Sequence, residues 1–239
     1  FAQLRINSPY SRYGIGDIST NTGAYYSSMG NMKYSLMSKN HINRSNAASY
    51  SGVDSGSFLF EVGLRGLLVN NMTEASSSSS NYVNLDYIKM AFPVTEWWRS
   101  SVGLMPFSIV GYDVNVSSIM DSIGEVNYSF LGDGGVNQVY FGNAIKINSS
   151  LSVGFNAAYL FGGINTRRIS SFPDIEYAYD YRIVNTNHIS TQGFLPYFDL
   201  GIQYHKTFTR KGSKLEGKTF NFGLKVPAEI GTFPSFKYS

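Results

Sequence analysis

The feature that most limits how this chain can fold is a strict alternation of apolar residues with small or polar ones. In residues 151–161 every odd-numbered position is apolar, and the even-numbered positions are mostly Ser, Gly, Asn or Ala. A period of two places the apolar side chains on one face of a β-strand. The run is as long as the roughly 9 to 11 residues that a tilted strand needs to cross a bilayer. Alternation of this length indicates a membrane-spanning strand.

About seven segments of the chain share this pattern. They cover residues 58–69, 81–92, 100–112, 136–147, 151–161, 194–204 and 219–226. The composition agrees with it, since the chain has 18 Tyr, 17 Phe and 24 Gly with only 15% charged residues. Aromatic and β-branched residues favour strands, whereas Gly, Ser and Asn favour turns. The sequence therefore predicts an all-β fold.

The connections between these segments alternate in length. Short turns are predicted at 93–99, 148–150 and 209–217, and long polar loops at 70–80, 113–135 and 170–189. Short turns on one side and long loops on the other are typical of an antiparallel transmembrane β-barrel of the bacterial outer membrane. Trp97 and Trp98 lie beside a short turn, and we expect them to anchor the barrel at the membrane interface.

Two other kinds of protein fit the sequence less well than the barrel. A helical membrane protein is excluded, because no stretch approaches the roughly 18 to 20 consecutive apolar residues that a spanning helix needs. A water-soluble β-sandwich or lipocalin-like barrel also has alternating strands, but its apolar face points inward. The many Gly, Ala, Ser and Asn residues on the polar faces favour the membrane barrel.

The chain divides into two predicted regions. Residues 1–56 have no sustained strand period and are predicted to form a plug, or hatch, in the barrel or else a disordered periplasmic lead; residues 57–239 carry the strands. A plug requires a barrel wider than eight strands, whose interior is filled by its own side chains. Bacterial barrels normally have an even number of strands. We therefore expect either one missed strand or, preferably, the first part of a longer barrel.

Several blocks resemble FadL-like outer-membrane proteins of Bacteroidetes, a family of channels for hydrophobic compounds. They read SPYSRYGIGD at 8–17, NAASY at 46–50, AFPVTEWW at 91–98, GGVNQVY at 134–140 and YLFG at 159–162. The resemblance implies a barrel of about fourteen strands, of which about half are present here, with an N-terminal hatch. FadL-like hatches carry an Asn-Pro-Ala motif, and this chain has Asn46, Ala47 and Ala48 at that place. Without the proline a fixed backbone angle is lost.

The faces predicted to point into the lumen carry candidate ligand-contacting residues. Glu61 and Arg65 lie four positions apart on one strand face, which would direct both into the lumen. There they would pair with the hatch, contact a ligand or form a structural ion pair. Leu160 is predicted to contribute an apolar lumen surface for a ligand.

The sequence predicts neither an enzyme nor a cofactor or metal site. The three His residues lie far apart and there is no Cys, so ligands at metal-binding spacing are absent. No Ser-centred nucleophile motif or phosphate-binding loop occurs, and the glycine-rich segments at 14–17 and 132–135 match only turns. The net charge of +3 is dispersed, which argues against a nucleic-acid partner.

Two functions remain open in the outer membrane. The first, which the resemblance implies, is passive transport of a hydrophobic small molecule. The second is a non-transporting barrel subunit, or scaffold, in a multiprotein outer-membrane machine for secretion or barrel assembly. Expected partners are membrane lipids and lipopolysaccharide, with a hydrophobic ligand in the first case and outer-membrane and periplasmic proteins in the second. A porin for polar solutes is disfavoured if a hatch fills the lumen.

Overall fold

The protein is described by a computed structural model over residues 8–19, 22–72, 77–121, 124–173, 182–191, 196–207, 218–228 and 236–238. The strands are β1 (Asp17–Ile18), β2 (Leu59–Met72), β3 (Ser77–Pro93), β4 (Trp98–Met120), β5 (Gly124–Lys146), β6 (Leu151–Ser171), β7 (Arg182–Thr191), β8 (Pro196–Thr207), β9 (Thr219–Ala228) and β10 (Phe236–Tyr238). Three short helices lie near the N-terminus: two 3-10 helices, Pro9–Arg12 and Ala47–Gly52, and one α-helix, α1 (Ala24–Ser28). The all-β prediction is confirmed.

The strands from β2 onward form one antiparallel sheet, curled into a half-barrel. Strand β6 pairs with β7 through residues 163–171, which we call its upper part, and with β8 through residues 151–159, its lower part. Strands β7 and β8 therefore occupy one position in the sheet. Strands β10 and β9 pair with β7 and β8 in the same way. Counted by position, the described sheet from β2 onward has seven strands, matching the seven predicted segments. The described part of the chain contains no helix long and apolar enough to cross a bilayer.

The two faces of the sheet differ as the alternation predicts. On β8, Asp199 is completely buried while its neighbour Leu200 is 52% exposed. We call the face with Asp199 the inner face and the other the outer face. The exposed apolar side chains of the lower outer face form a belt. Its members include Phe58, Phe60, Val62, Leu104, Val139, Phe141, Ile145, Phe155, Leu200, Ile202, Phe220, Phe222 and Leu224. A soluble barrel with its apolar face inward does not fit this arrangement.

Neighbouring strands bend at one level above the belt. A register shift leaves an extra residue, Asp86, in β3, and another shift falls between Pro106 and Ser108 in β4. In β5 at the same level, Gly134 and Gly135 have φ of 117° and 142°. Such angles favour glycine and re-aim a strand. The expectation that the glycine-rich segment 132–135 is a turn is therefore wrong; it is a bend inside β5.

The predicted long loops are also wrong, because most of their residues continue the strands above the bend. Residues 113–120 remain paired with 124–131, and residues 163–171 with 182–190. Residues 70–72 likewise pair with 77–79. These segments resemble loops because their outer side chains are polar where the sheet leaves the apolar belt. The predicted short turn at 209–217 lies outside the described residues.

The sheet wall is split between β3 and β4 above the bend. Strand β4 pairs with β3 only over residues 99–104. Higher up, β3 pairs with β2 and β4 pairs with β5, which leaves a wall gap between residues 77–87 and 105–120. Asp86 and Pro106 lie at the lower end of the gap. A bulge and a proline both interrupt regular strand pairing, which explains why the split begins there.

Candidate functional site

The described N-terminal residues up to 57, called here the N-terminal segment, lie against the inner face of the sheet. The second 3-10 helix crosses β5, β6 and β8, and residues 8–19 reach the edge of β4 in the wall gap. The segment contacts the inner faces of strands from β2 to β9. The curled sheet therefore surrounds it on this side. The surface on which the segment lies, called here the seat, is rich in buried polar side chains and is the candidate functional site.

Glycines in four strands make room for the N-terminal segment. They are Gly142, Gly154, Gly201 and Gly223, from β5, β6, β8 and β9. A Cβ atom on Gly154 would lie 2.6 Å from backbone atoms of Ala47 and Ala48, and one on Gly201 would lie 3.0 Å from the amide nitrogens of the same residues. Backbone cannot yield as a flexible side chain can. The second 3-10 helix can therefore approach the strands this closely only because these positions are glycines.

The residues at 46–48, predicted as a hatch motif, form the start of this helix. Asn46 Oδ1 accepts a hydrogen bond from the Ala48 amide at 3.1 Å and so caps the helix. Its Nδ2 donates to the carbonyl of Tyr34 at 2.7 Å and to that of Ile202 in β8 at 3.3 Å. Asn46, Ala47 and Ala48 are completely buried. Asn46 thus joins the helix, the preceding loop and the sheet.

A buried charge cluster lies beside this helix. Asp199 Oδ2 is 3.4 Å from Nη1 of Arg44 in the N-terminal segment and 3.2 Å from Nζ of Lys225 in β9. Asp199 Oδ1 accepts a hydrogen bond from Asn156 Nδ2 at 2.7 Å. Arg44 also donates to Gln138 Oε1 at 3.2 Å. Because the carboxylate is fully buried between two cations, removal of either kind of charge leaves the other uncompensated.

Glu61 is the centre of a second ionic contact with the N-terminal segment. Its carboxylate accepts the Ile42 amide at 2.7 Å and lies 3.0 Å from Lys89 Nζ. Lys89 in turn donates to the Ile42 carbonyl at 3.0 Å. His41 Nδ1 approaches the same carboxylate at 3.6 Å. Both backbone groups of Ile42 are thus held by an ion pair that joins β2 to β3.

Two tyrosines of the N-terminal segment are buried in the seat. Tyr50 donates its hydroxyl to Asn156 Oδ1 at 2.8 Å, and burial raises the pKa of Tyr50 well above its ordinary value. Tyr26 donates to the His41 carbonyl at 3.2 Å. Burial, together with the Glu61 carboxylate, raises the pKa of Tyr26 as well. Both hydroxyls therefore stay neutral hydrogen-bond donors throughout the physiological range.

Other residues singled out from the sequence lie outside this seat or at its margin. Arg65 pairs with Asp86 at 2.8 Å rather than with Glu61. Leu160 is half-buried on the inner face of β6. Trp98 lies at the lower end of β4, where its indole nitrogen donates to Asn143 Oδ1 at 2.9 Å, and Trp97 is exposed in the adjoining turn. The roles of Arg65 and Leu160 in ligand binding, and of both Trp residues as membrane anchors, stay predictions.

The most important residues of the seat were not among the predicted site residues. They are Arg44, Lys89, Asn156, Asp199 and Lys225. A signal for three of them does exist. Lys89, Asp199 and Lys225 each place a charge within a strand segment that is otherwise mostly uncharged. A charge on a strand face that is otherwise built of small residues indicates a partner.

The arrangement suits holding a segment rather than reacting with a substrate. Its charged groups contact one another, neighbouring amides and backbone atoms, and among the described residues only Nε of Arg44 is a charged-group nitrogen buried without a hydrogen-bond partner. Among the residues that the structure describes, no three His, Cys, Asp or Glu side chains come together to hold a metal ion. The contact between the N-terminal segment and the sheet is buried and hydrogen-bonded like a protein interior.

A comparison with protein families now bears on this site. A model of the BamG family matches residues 1–232. The chain belongs to the BamG family. BamG is a family of the outer-membrane barrel-assembly machinery, so membership indicates a role in that machinery and association with the outer membrane. No curated protein and no solved structure matches the chain.

BamG membership corrects the predicted FadL-like identity, which is wrong. The blocks that carried the resemblance are short and rich in Gly, Tyr and Trp, which recur at the bends, turns and interfaces of membrane barrels in general. The implied transport function and moving hatch lose their basis with it. The alternative interpretation, a subunit of a barrel-assembly complex, is the one that the family supports.

Proposed function

We propose that the chain is a non-transporting, membrane-embedded subunit of the outer-membrane barrel-assembly machinery. Its task is to provide a rigid barrel wall and a fixed N-terminal segment on which other subunits assemble. The observation that carries this proposal is the clamping of that segment by Asp199 and Glu61, together with BamG membership. No catalytic step is assigned to the chain.

Clamping argues for a scaffold because movement would break several buried ionic contacts together. Withdrawing Arg44 leaves Asp199 with one cation instead of two, and withdrawing Ile42 removes the backbone partners of Glu61 and Lys89. Breaking a single buried ion pair one-sidedly typically costs about 3 to 5 kcal/mol. A passive channel has no energy source with which to drive such a step on each passage of a ligand.

The apolar belt supports a position within the membrane. A contiguous exposed band of aromatic and aliphatic side chains is unfavourable in water and favourable against lipid. Above the bend, the outer face of β4 and β5 changes to hydrogen-bonded polar side chains, such as Asn115 with Ser129 at 2.6 Å and Ser117 with Asn127 at 2.5 Å, whereas β2 and β3 still carry exposed Leu68 and Val83. We place the upper boundary of the hydrocarbon region at this change on β4 and β5.

The test is affinity purification of the tagged chain from native outer membranes under mild detergent. We expect barrel-assembly proteins to co-purify in a constant ratio to the chain through a subsequent size separation. An equally abundant, tagged outer-membrane barrel of another family serves as the control. Recovery of the chain as a monomer, free of these proteins, would contradict the proposal.

A further inference from the structure

The upper part of β4 presents an open strand edge in the wall gap. The Ser19 amide donates to the Phe107 carbonyl and the Ser8 amide to the Gly111 carbonyl, each at 2.9 Å. Backbone groups of odd-numbered β4 residues therefore point into the gap. Among the described residues, no strand pairs with this edge from Asp113 to Ile119. The edge thus offers a row of backbone donors and acceptors.

Within the described residues, this edge lacks the devices that normally prevent strand pairing. Natural edge strands are blunted by Lys, Pro, bulges or a covering segment. Residues 112–120 contain no Lys or Pro, one charged residue, Asp113, and β-branched Val114, Val116 and Ile119. Their register with β5 is unbroken. An edge that is long, regular and almost uncharged is suited to accept a further strand.

The chain itself demonstrates the direction in which a strand fits. Strand β1 pairs antiparallel with β4 through Asp17 with Ile109 and Ile18 with Ser108. Its neighbour Ser11 exchanges side-chain hydrogen bonds with the backbone of Gly111, and its hydroxyl is 3.1 Å from the Gly111 amide. A strand placed higher on the same edge would extend this pairing.

The surroundings of the edge define the chemistry of the strand that it would accept. Inward-pointing Val114 pairs with Phe130, and inward-pointing Val116 pairs with Tyr128. The outward-pointing neighbours form a polar ladder of hydrogen-bonded side chains. Its members are Asp113, Asn115, Ser117, Asn127, Ser129, Asp133, Asn165 and His188. A complementary strand therefore alternates apolar residues inward with polar residues outward, and it lies above the hydrocarbon region.

We propose that the β4 edge at residues 112–120 is a docking site for an extended strand of another polypeptide of the machinery. The strand runs antiparallel to β4, continues the direction of β1, and adds to the sheet by β-augmentation. This inference rests on the proposed function and names the surface through which a partner would be held. The polar upper edge, not the apolar belt, makes the contact.

The test uses a photo-crosslinking amino acid at position 113 or 117 of the full chain in native membranes. Both positions should capture the same segment of one partner polypeptide, with the captured sites in reverse order and about four residues apart. Ser117→Pro removes a gap-facing amide and should lower the yield from position 113 about two- to tenfold, the value of one backbone hydrogen bond. Ser117→Val loses the side-chain bond to Asn127 but keeps the amide, so its yield should stay unchanged.

Several results would overturn the inference. They are capture only of the chain's own first residues, of a second copy or of lipopolysaccharide, captured sites without the reversed order, and a yield that Ser117→Pro does not change. The order of captured sites needs no proline variant, so it remains decisive if Ser117→Pro fails to fold. If the edge inference alone is wrong, barrel-assembly proteins still co-purify. If the proposed function is wrong, they do not.

Discussion

Asp199 is the residue on which the seat of the N-terminal segment depends most. Among the described residues it is the carboxylate that pairs with both Arg44 and Lys225, and Asn156 holds its second oxygen. In such a buried cluster the charges compensate one another, and the net gain over an apolar cluster is small. The loss of one charged residue, in contrast, is strongly destabilising, because the remaining charges stay buried without compensation.

Asp199→Asn should loosen the N-terminal segment, because it leaves Arg44 and Lys225 buried without a counter-charge. We expect a destabilisation of about 3 to 5 kcal/mol at the seat. Limited digestion with trypsin at the exposed Lys39 should become much faster than in the wild type. The matched control is Asp113→Asn, which changes an exposed carboxylate on the polar ladder. Equal digestion rates for the two variants would refute the assigned role of Asp199.

Gly154→Ala should displace the second 3-10 helix, because the added methyl group would lie 2.6 Å from the backbone of Ala47 and Ala48. Overpacking of this kind costs about 1 to 3 kcal/mol. Gly66→Ala is the control, since a Cβ at Gly66 meets nothing within 4 Å. Thermal unfolding in detergent should shift downward for the first variant only. A similar unfolding midpoint for both variants would show that the glycine at position 154 does not determine how the second 3-10 helix packs on the sheet.

At the scale of elements, the described residues cover only the lower part of the wall gap, and with very little structure. Strand β1 has only two residues, and the first 3-10 helix contributes the contact of Ser11 with Gly111. Such short pairing is less stable than the long ladders of β4, β5 and β6. We therefore expect the part of the chain in the gap to be displaced more easily than the part in the seat.

Ser11→Ala should increase exchange of the Gly111 amide hydrogen, which loses its acceptor. An unsatisfied buried amide costs about 1 to 3 kcal/mol, so local opening should become roughly tenfold more frequent. Hydrogen–deuterium exchange of the protein in lipid nanodiscs measures this. Ser28→Ala is the control, since the exposed Ser28 hydroxyl donates to the carbonyl of Tyr25 within α1, far from Gly111. Unchanged exchange at Gly111 would mean that residues 8–19 do not seal the gap.

The strands were predictable from the sequence where their outer side chains belong to the apolar belt. The lower parts of β6, β8 and β9 follow the alternation because their outer side chains form the belt. The upper parts of β4 and β5 were missed, since outer residues such as Asn115 and Asn127 are polar and resemble a loop. Backbone pairing, not side-chain polarity, determines those strands. The contact of Arg44 with Asp199 joins residues 155 positions apart, which no local pattern reveals.

At the scale of the whole molecule, the exposed apolar belt makes the outer face of the sheet more compatible with lipid than with water. Phe222 on β9 is 52% exposed, and its inward neighbour Gly223 lies beneath Tyr34. The outward residue therefore contributes to contact with the surroundings, and the inward one to packing of the N-terminal segment. The molecule is inverted relative to a soluble β-protein.

Phe222→Arg should impair insertion, because a charged side chain on a lipid-facing position costs about 2 to 4 kcal/mol near the bilayer midplane. We expect a smaller fraction of the chain to show heat-modifiable migration on gels after refolding into lipid vesicles. Asn127→Arg places the same residue on the polar ladder and should leave that fraction near the wild-type value. An equal loss in both variants would contradict our assignment of the hydrocarbon region.

The seat of the N-terminal segment also dictates an order of folding. Gln203 donates to the carbonyl of Ser35, 168 positions earlier, and Lys225 completes the cluster around Arg44 from still later in the chain. Contacts of such separation carry a large loop-closure entropy and form slowly. The residues synthesised early are thus locked only after β8 and β9 have paired. A subunit of the barrel-assembly machinery would thus itself complete its packing late in folding.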